Sequence, residues 1–245
     1  MGTLTSLFAR KMVAAAGPGV DGPALLAAAG LDPDAPWDPK VRLVDTVYYD
    51  LLERLAEKTD AGALPIEVGA SMRCDEYGTL GLAWKAAPTL LDSFRRVERF
   101  ARLWTSVVEY ELQSAPGGML FVLNRAGLPR HGLHLSNEAT LASAVSISRQ
   151  VSPLPFAPLE VRFRHPAPAS AAAHEAYFGC PVRFGAERDV LLLPAEALAR
   201  PNRLGDKGIT RFLLSCLEAE LSGLAHEETL ETRAKNAIAR ALSEG

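Results

Sequence analysis

The spacing of hydrophobic residues divides the chain into a helical first part and a later part that mixes strands with helices. Before residue 106, apolar side chains recur every three or four positions, which predicts amphipathic helices. The clearest such stripe consists of Val44, Val47, Tyr48, Leu51, Leu52 and Leu55. Another helix is predicted to begin at Thr89, which follows Pro88 and can act as an N-cap with Asp92 three residues later.

From Ser106 the hydrophobic period changes to two, which is typical of half-buried strands. Residues 108–112 and 119–123 alternate on either side of a turn at 115–118 (APGG), and this pattern predicts a first β-hairpin. Residues 159–164 (LEVRFR) predict a single strand, with Leu159, Val161 and Phe163 facing one way. Residues 182–194, with a turn at 185–188 (GAER), predict a second hairpin.

Helices are predicted between and after these strands. Residues 136–151 are rich in Ala and Ser, so this helix can pack closely against a neighbour, and residues 170–178 form a short helix that Gly179 ends. Two long helices close the chain, the second starting near Thr229. The predicted fold class is α+β: N-terminal helices are followed by a largely antiparallel sheet of two hairpins plus a strand, flanked by helices.

The composition is that of an ordinary globular protein with a core. Of the 245 residues, 48% are hydrophobic and 22% are charged. The net charge of -3 argues against the whole chain being a nucleic-acid-binding protein, because such proteins are usually basic. The N-terminus lacks the charge order of a secretory signal, and no apolar run is long enough to span a membrane. We expect a cytoplasmic location and three unpaired cysteines that pack as small hydrophobic residues.

No catalytic, phosphate-binding or cofactor-binding motif is present in the sequence. His131 and His134 follow Pro129 and flank Gly132, which predicts a loop, and His165 and His174 are expected in loops or on the surface. Since a metal site needs three or four converging ligands, we predict no metal, no cofactor and no enzymatic activity.

Aromatic residues cluster in and before the first hairpin. Tyr77, Trp84, Trp104 and Tyr110 either pack in the core or line a small-molecule pocket, and the sequence leaves both interpretations open. The pocket hypothesis places them between the hairpin and the preceding helices. Arg162 is then a candidate anion anchor, or alternatively a solvent-facing strand residue.

The penultimate helix carries a broad apolar stripe between residues 209 and 224. The stripe either covers the chain's own sheet or forms a homodimer contact. The candidate interface residues are Phe212, Leu213, Leu217 and Leu221.

Two blocks of sequence resemble the effector-binding domain of one large branch of AraC-type transcription regulators, named for arabinose binding. They are residues 176–194 (AYFGCPVRFGAERDVLLLP), continued through ALARPN, and residues 77–103 (YGTLGLAWKAAPTLLDSFRRVERFARL). Residues 108–112 (VEYEL) and 161–168 (VRFRHPAP) also fit. The resemblance extends from about residue 5 to 225.

This resemblance implies a domain at residues 1–225 that binds a small effector and dimerises. It also implies that a DNA-binding domain with two helix-turn-helix motifs follows the sensor. Residues 226–245 are expected to be a linker and the first helix of that domain, so that DNA is contacted only through parts this sequence lacks. Two rival hypotheses remain, a small-molecule enzyme on a similar scaffold and a dimerisation module without a ligand.

Overall fold

A computed structural model describes residues 2–36, 38 and 41–243 of the chain. The strands are β1 Thr3–Thr5, β2 Arg42–Val44, β3 Val108–Ala115, β4 Gly118–Arg125, β5 Glu160–Arg162, β6 Val182–Arg183 and β7 Asp189–Pro194. The helices are α1 Leu7–Ala15, α2 Gly22–Ala28, α3 Asp45–Ala56, α4 Leu64–Ser71, α5 Gly78–Ala86, α6 Leu90–Phe100, α7 His131–Val151, α8 Ala172–Phe178, α9 Ala195–Ala199 and α10 Lys207–Ser243. Short 3₁₀ turns occupy Cys74–Tyr77 and Ala101–Leu103. The predicted α+β class is confirmed.

The main sheet has five strands in the order β3-β4-β7-β5-β6. The predicted first hairpin is present, since β3 and β4 pair antiparallel and only Pro116 and Gly117 lie between them. Strand β7 pairs antiparallel with both β4 and β5. A second, two-stranded sheet joins β1 to β2, in a region that the sequence pattern predicted to be helical.

The second predicted hairpin is wrong. Strand β6 pairs with β5, in parallel, and β5 lies between β6 and β7. The segment after β6 crosses the end of β5, where Gly185 donates to the His165 carbonyl and Ala186 to the Phe163 carbonyl. Alternation of inner and outer residues is the same for a parallel and an antiparallel partner, so the pattern alone does not identify the neighbour. The predicted facing of Leu159 is also wrong, since it is 45% exposed.

Helix α7 runs through the centre of the molecule and is buried along most of its length. One side packs against α3 and α4, and another faces the sheet. Small residues on both helices allow α4 to approach α7 closely. A Cβ added at Gly69 of α4 would lie only 2.4 Å from the Cβ of Ala142 of α7. Its hydroxyl groups are satisfied locally, as when Thr140 donates to the Ser136 carbonyl at 2.7 Å.

The loop predicted around His131 and His134 is wrong, because α7 begins at His131. Gly132 lies inside the helix, where an added Cβ would be 2.3 Å from the Tyr49 carbonyl oxygen. The glycine therefore permits close packing of α7 on α3 and does not break the helix. Pro129 precedes the helix and leaves it intact.

The chain closes with one continuous helix, α10, where two helices were predicted. Leu213 and Leu217 are buried against α5 and the end of α6, in a cluster with Leu80, Ala83 and Phe100, and Leu221 packs at its edge. The apolar stripe therefore serves the chain's own core. Of the four candidate interface residues, only Phe212 is largely exposed, at 67%. The predicted division into residues 1–225 and 226–245 stays a prediction.

Within the part of the chain that the structure describes, no helix has both the length and the apolar character needed to cross a bilayer.

The contact of α4 with α7 predicts a steric effect of one methyl group. We expect Gly69→Ala to lower the free energy of unfolding by about 1–3 kcal/mol, because the new Cβ also lies 2.7 Å from the Ala139 carbonyl oxygen. Gly223→Ala is the control, since nothing lies within 4 Å of its added Cβ and it stands in a helix. It should leave stability unchanged or raise it by up to about 1 kcal/mol. Urea unfolding measures both, and equal effects of the two variants would contradict the packing argument.

Candidate functional site

A cavity of about 100 Å³ lies between the first hairpin and the helices around it, and it is partly open to solvent. Its walls come from α1, α5, α6, β3, β4 and α7. The lining is mainly apolar, and the cavity contains few polar groups. These polar side chains are Thr5, Thr105, Arg125, Ser136, Thr140 and Ser143.

Aromatic rings form much of the wall. The lining rings are Phe8, Tyr77, Trp84, Trp104, Tyr110 and Phe121. Tyr77 packs against Trp104 with ring centroids 5.1 Å apart, and Tyr110 stacks on Phe121 at 4.9 Å with an interplanar angle of 7°. Rings supported in this way present flat apolar surfaces of fixed orientation.

Both tyrosines of the wall keep their phenolic protons. Burial raises the pKa of Tyr110 to about 12, although the positive charge of Arg125 opposes the shift. Burial likewise raises the pKa of Tyr77, whose hydroxyl lies 2.5 Å from that of Ser143. At neutral pH both groups are therefore neutral and able to donate a hydrogen bond.

Arg125, at the end of β4, is the one charged residue in the described lining. Its Nε donates to Asn137 Oδ1 at 2.5 Å, and an Nη donates to Thr140 Oγ1 at 3.1 Å. Asn137 in turn donates to the buried carboxylate of Asp189 at 2.9 Å. Within the described chain, Arg125 forms no ion pair with a carboxylate. Its partners are neutral, so they fix its position without neutralising its charge.

The structure places four of the five predicted ligand-site residues in the cavity wall, namely Tyr77, Trp84, Trp104 and Tyr110. Arg162 does not line the cavity. Its Nε pairs with Glu160 Oε1 at 2.5 Å on a half-exposed strand. The structure therefore supports the alternative interpretation, that Arg162 is a solvent-facing strand residue.

Sequence analysis missed Arg125 and the polar side of α7, although both had a signal. Along β4, residues 119, 121, 123 and 125 fall on one face, so the alternation places Arg125 beside Phe121 and Leu123. A charged residue at an inward position is unusual and is therefore informative. Ser136, Thr140 and Ser143 recur at helical spacing and form a polar stripe on α7.

A second polar group lies in the interior, where Glu138 of α7 contacts two histidines. His174 Nε2 is 2.8 Å from Glu138 Oε2, and His165 Nε2 is 3.0 Å from Glu138 Oε1. All three side chains are buried. His165 lies in a loop, as predicted, but the prediction is wrong for His174, which lies in α8. Among the described residues, no group of His, Cys, Asp and Glu has the geometry of a metal site.

The buried carboxylate of Glu138 and the imidazole of His165 stabilise each other's charged forms. Burial alone would lower the pKa of His165, but the Glu138 carboxylate outweighs it and raises that pKa above its ordinary value. Burial alone would raise the pKa of Glu138, but hydrogen bonds from both histidines lower it. His134 stacks on His165 at 5.0 Å, and burial together with the charge of His165 lowers its pKa. Asp189 adds further negative charge near His165.

An α+β domain with a small aromatic cavity and few converging polar groups belongs to the class of ligand-binding modules. The chain belongs to the family described as the arabinose-binding domain of AraC transcription regulators, N-terminal, whose family model matches residues 19–202. The sequence resemblance to this family is thereby confirmed.

A solved structure shares the fold. The transcriptional regulator CdpR from Pseudomonas aeruginosa superimposes with a TM-score of 0.60 at 14% sequence identity, over 88% of this chain. This chain spans 65% of the length of that regulator. No curated protein matches the sequence.

The Glu138 group predicts a pH-dependent loss of stability. We expect Glu138→Gln to lower the free energy of unfolding by about 3 kcal/mol near pH 6, because it removes the counter-charge of buried His165 and a hydrogen-bond partner of buried His174. The difference from wild type should shrink as the pH rises through the raised pKa of His165. It should also shrink as the pH falls through the lowered pKa of Glu138.

Urea unfolding across this pH range measures the effect. Glu175→Gln on α8, an exposed position, is the matched control and should change little. A difference between wild type and Glu138→Gln that stays constant with pH would contradict the electrostatic account.

Proposed function

We propose that this chain senses a small-molecule effector on behalf of an AraC-type transcription regulator. The observation that carries the proposal is the aromatic cavity, because it combines a shaped apolar wall with a few fixed polar groups. The complete regulator would act on DNA through a domain that follows the sensor, in the cytoplasm. A ligand that binds one conformation more tightly than another would shift the population of the regulator between them.

The contacts of α10 support a route from the cavity to that following domain. Leu80 of α5 lines the cavity and also packs in the cluster that holds Leu213 and Leu217 of α10. Polar contacts join the same elements, since Thr210 donates to the Ala86 carbonyl at 2.6 Å and Thr79 donates to Glu220 at 3.0 Å. Movement of α5 on ligand binding would therefore reach α10 directly.

Of the rival functions, the small-molecule enzyme has less support. The described lining contains no Asp, Glu, His, Cys or Lys, so its hydroxyl groups have no side-chain base in the cavity wall to activate them as nucleophiles. We propose that the cavity binds its ligand without converting it.

The proposal of effector binding predicts that filling the cavity abolishes binding. Ala144 lines the cavity and is 8% exposed, so Ala144→Leu should occupy ligand space while keeping or raising the melting temperature. Thermal-shift screening of wild type against a metabolite library identifies ligands, and calorimetry then compares the variants. Ala172→Leu on the exposed surface of α8 is the control and should bind as wild type does. Unchanged binding by Ala144→Leu would show that the ligand sits elsewhere.

We also propose homodimerisation, through the outer face of α10 and not through its buried stripe. Ile209 and Phe212 are 54% and 67% exposed and lie within one turn of each other. This face lies in the helix that leads toward the expected DNA-binding domain, where a dimer contact would set the spacing of two DNA-binding heads. A second copy of the chain is the occupant that closes such a patch symmetrically.

A double variant tests the dimer. Ile209→Glu with Phe212→Glu should give a folded monomer by light scattering, because both side chains contact water in the single chain. Leu128→Glu, at an exposed leucine outside α10, should leave the dimer intact. A wild-type protein that is already monomeric would end the dimer proposal.

A further inference from the structure

The polar groups of the cavity supply more hydrogen-bond donors than acceptors. A guanidinium carries five N–H groups, and Arg125 uses two of them on Asn137 and Thr140, which leaves three. The Trp84 indole N–H is buried without a hydrogen-bond partner. The Tyr110 hydroxyl, which keeps its proton, forms no hydrogen bond within the described chain.

Three hydroxyl oxygens of the wall already accept a hydrogen bond from the protein. Thr140 Oγ1 accepts from Arg125 and donates its own proton to the Ser136 carbonyl. Thr5 Oγ1 and Thr105 Oγ1 accept from the backbone amides of Leu7 and Val107. No carboxylate lines the described cavity. Because unpaired buried donors are costly, the occupant that suits this cavity brings the acceptors.

We infer that the effector is a small monocarboxylate whose carboxylate binds Arg125 and whose apolar body, a single ring or a short chain, packs between Trp84, Trp104 and Tyr110. This inference rests on the proposed sensing function and names its ligand class. Arg125 offers the planar fork of donors that a carboxylate binds with two hydrogen bonds. The ring of Trp84 lines the same wall, and its indole N–H is buried without a hydrogen-bond partner.

The cavity also limits size and polarity. Its volume of about 100 Å³ is smaller than the closed apolar cavity of about 150 Å³ that holds benzene, so the buried body is limited to one ring or a few methylenes at most. A sugar would place several hydroxyl groups against apolar walls, where they would lose hydrogen bonds to water. Inorganic phosphate would satisfy Arg125 but would leave the aromatic walls without a partner.

Matched ligands test the inference without any change to the protein. Benzoate and hexanoate are compared by calorimetry with benzamide and hexanamide, which keep the shape but lack the charge, and with benzylamine, inorganic phosphate and L-arabinose. We expect the carboxylates to bind at least about tenfold more tightly than their amides, since the charged hydrogen bonds to Arg125 are absent from the amide complexes. The amine, phosphate and the sugar should not bind measurably.

Variants locate the effect. Arg125→Met should weaken benzoate binding at least about tenfold and leave benzamide binding within about twofold, while Arg125→Lys should keep part of the preference. Arg162→Met, at the surface arginine outside the cavity, should behave as wild type. If Arg125→Met does not fold, the comparison of acids with amides still decides the question.

Two results would overturn the ligand class. One is equal binding of acids and amides with no response to Arg125→Met, which would leave an effector cavity without a preference for anions. The other is no binding by any carboxylate. The sensing function fails separately, if no metabolite of the library binds the wild-type protein.

Discussion

The structure depends on the burial of α7, a helix whose exposed turns are few and whose side chains include many polar groups. Small residues let α3, α4 and the sheet approach its backbone closely, and each polar group then needs a partner inside the protein. Ser146, for example, donates to the carbonyls of Ala70 and Met72, tying α7 to the end of α4. The same requirement links the cavity arginine to Asn137, and places Glu138 one residue further on between two histidines.

This arrangement sets the character of the cavity. The apolar wall comes from the N-terminal helices and the first hairpin, while α7 contributes the polar side that holds Arg125 in position. A rigid guanidinium with neutral partners keeps its charge available to a ligand, which a salt bridge to a carboxylate would not allow. Helix α5 carries both a cavity wall and the contact surface for α10, so one helix touches both the cavity and the closing helix.

Periodicity predicted those parts of the fold whose structure depends on residues that are close together in the sequence. The first hairpin, the Thr89 cap and the left-handed Gly179 at the end of α8 follow from local pattern and turn chemistry. The prediction of a second hairpin is wrong because β5, a strand from earlier in the chain, lies between β6 and β7. The alternation of side chains carries no information about which strand is the neighbour. The sequence pattern predicts a loop at Gly132, whereas in the structure this glycine lies within a helix and permits close packing against Tyr49. The aromatic cluster was predicted from sequence. Arg125, the candidate anion-binding residue, was missed, because its inward position becomes clear only when the alternation along β4 is followed to the end of the strand.

The central claim is that a small carboxylate occupies the cavity between the two lining tryptophans. Titration of ¹⁵N-labelled protein with benzoate tests it most directly, with the indole N–H signals of Trp84 and Trp104 assigned by Trp→Phe variants. The account predicts that both signals shift in a saturable manner, because both rings line the cavity that the ligand fills. Signals of Trp84 and Trp104 that remain in place at saturating benzoate would contradict it.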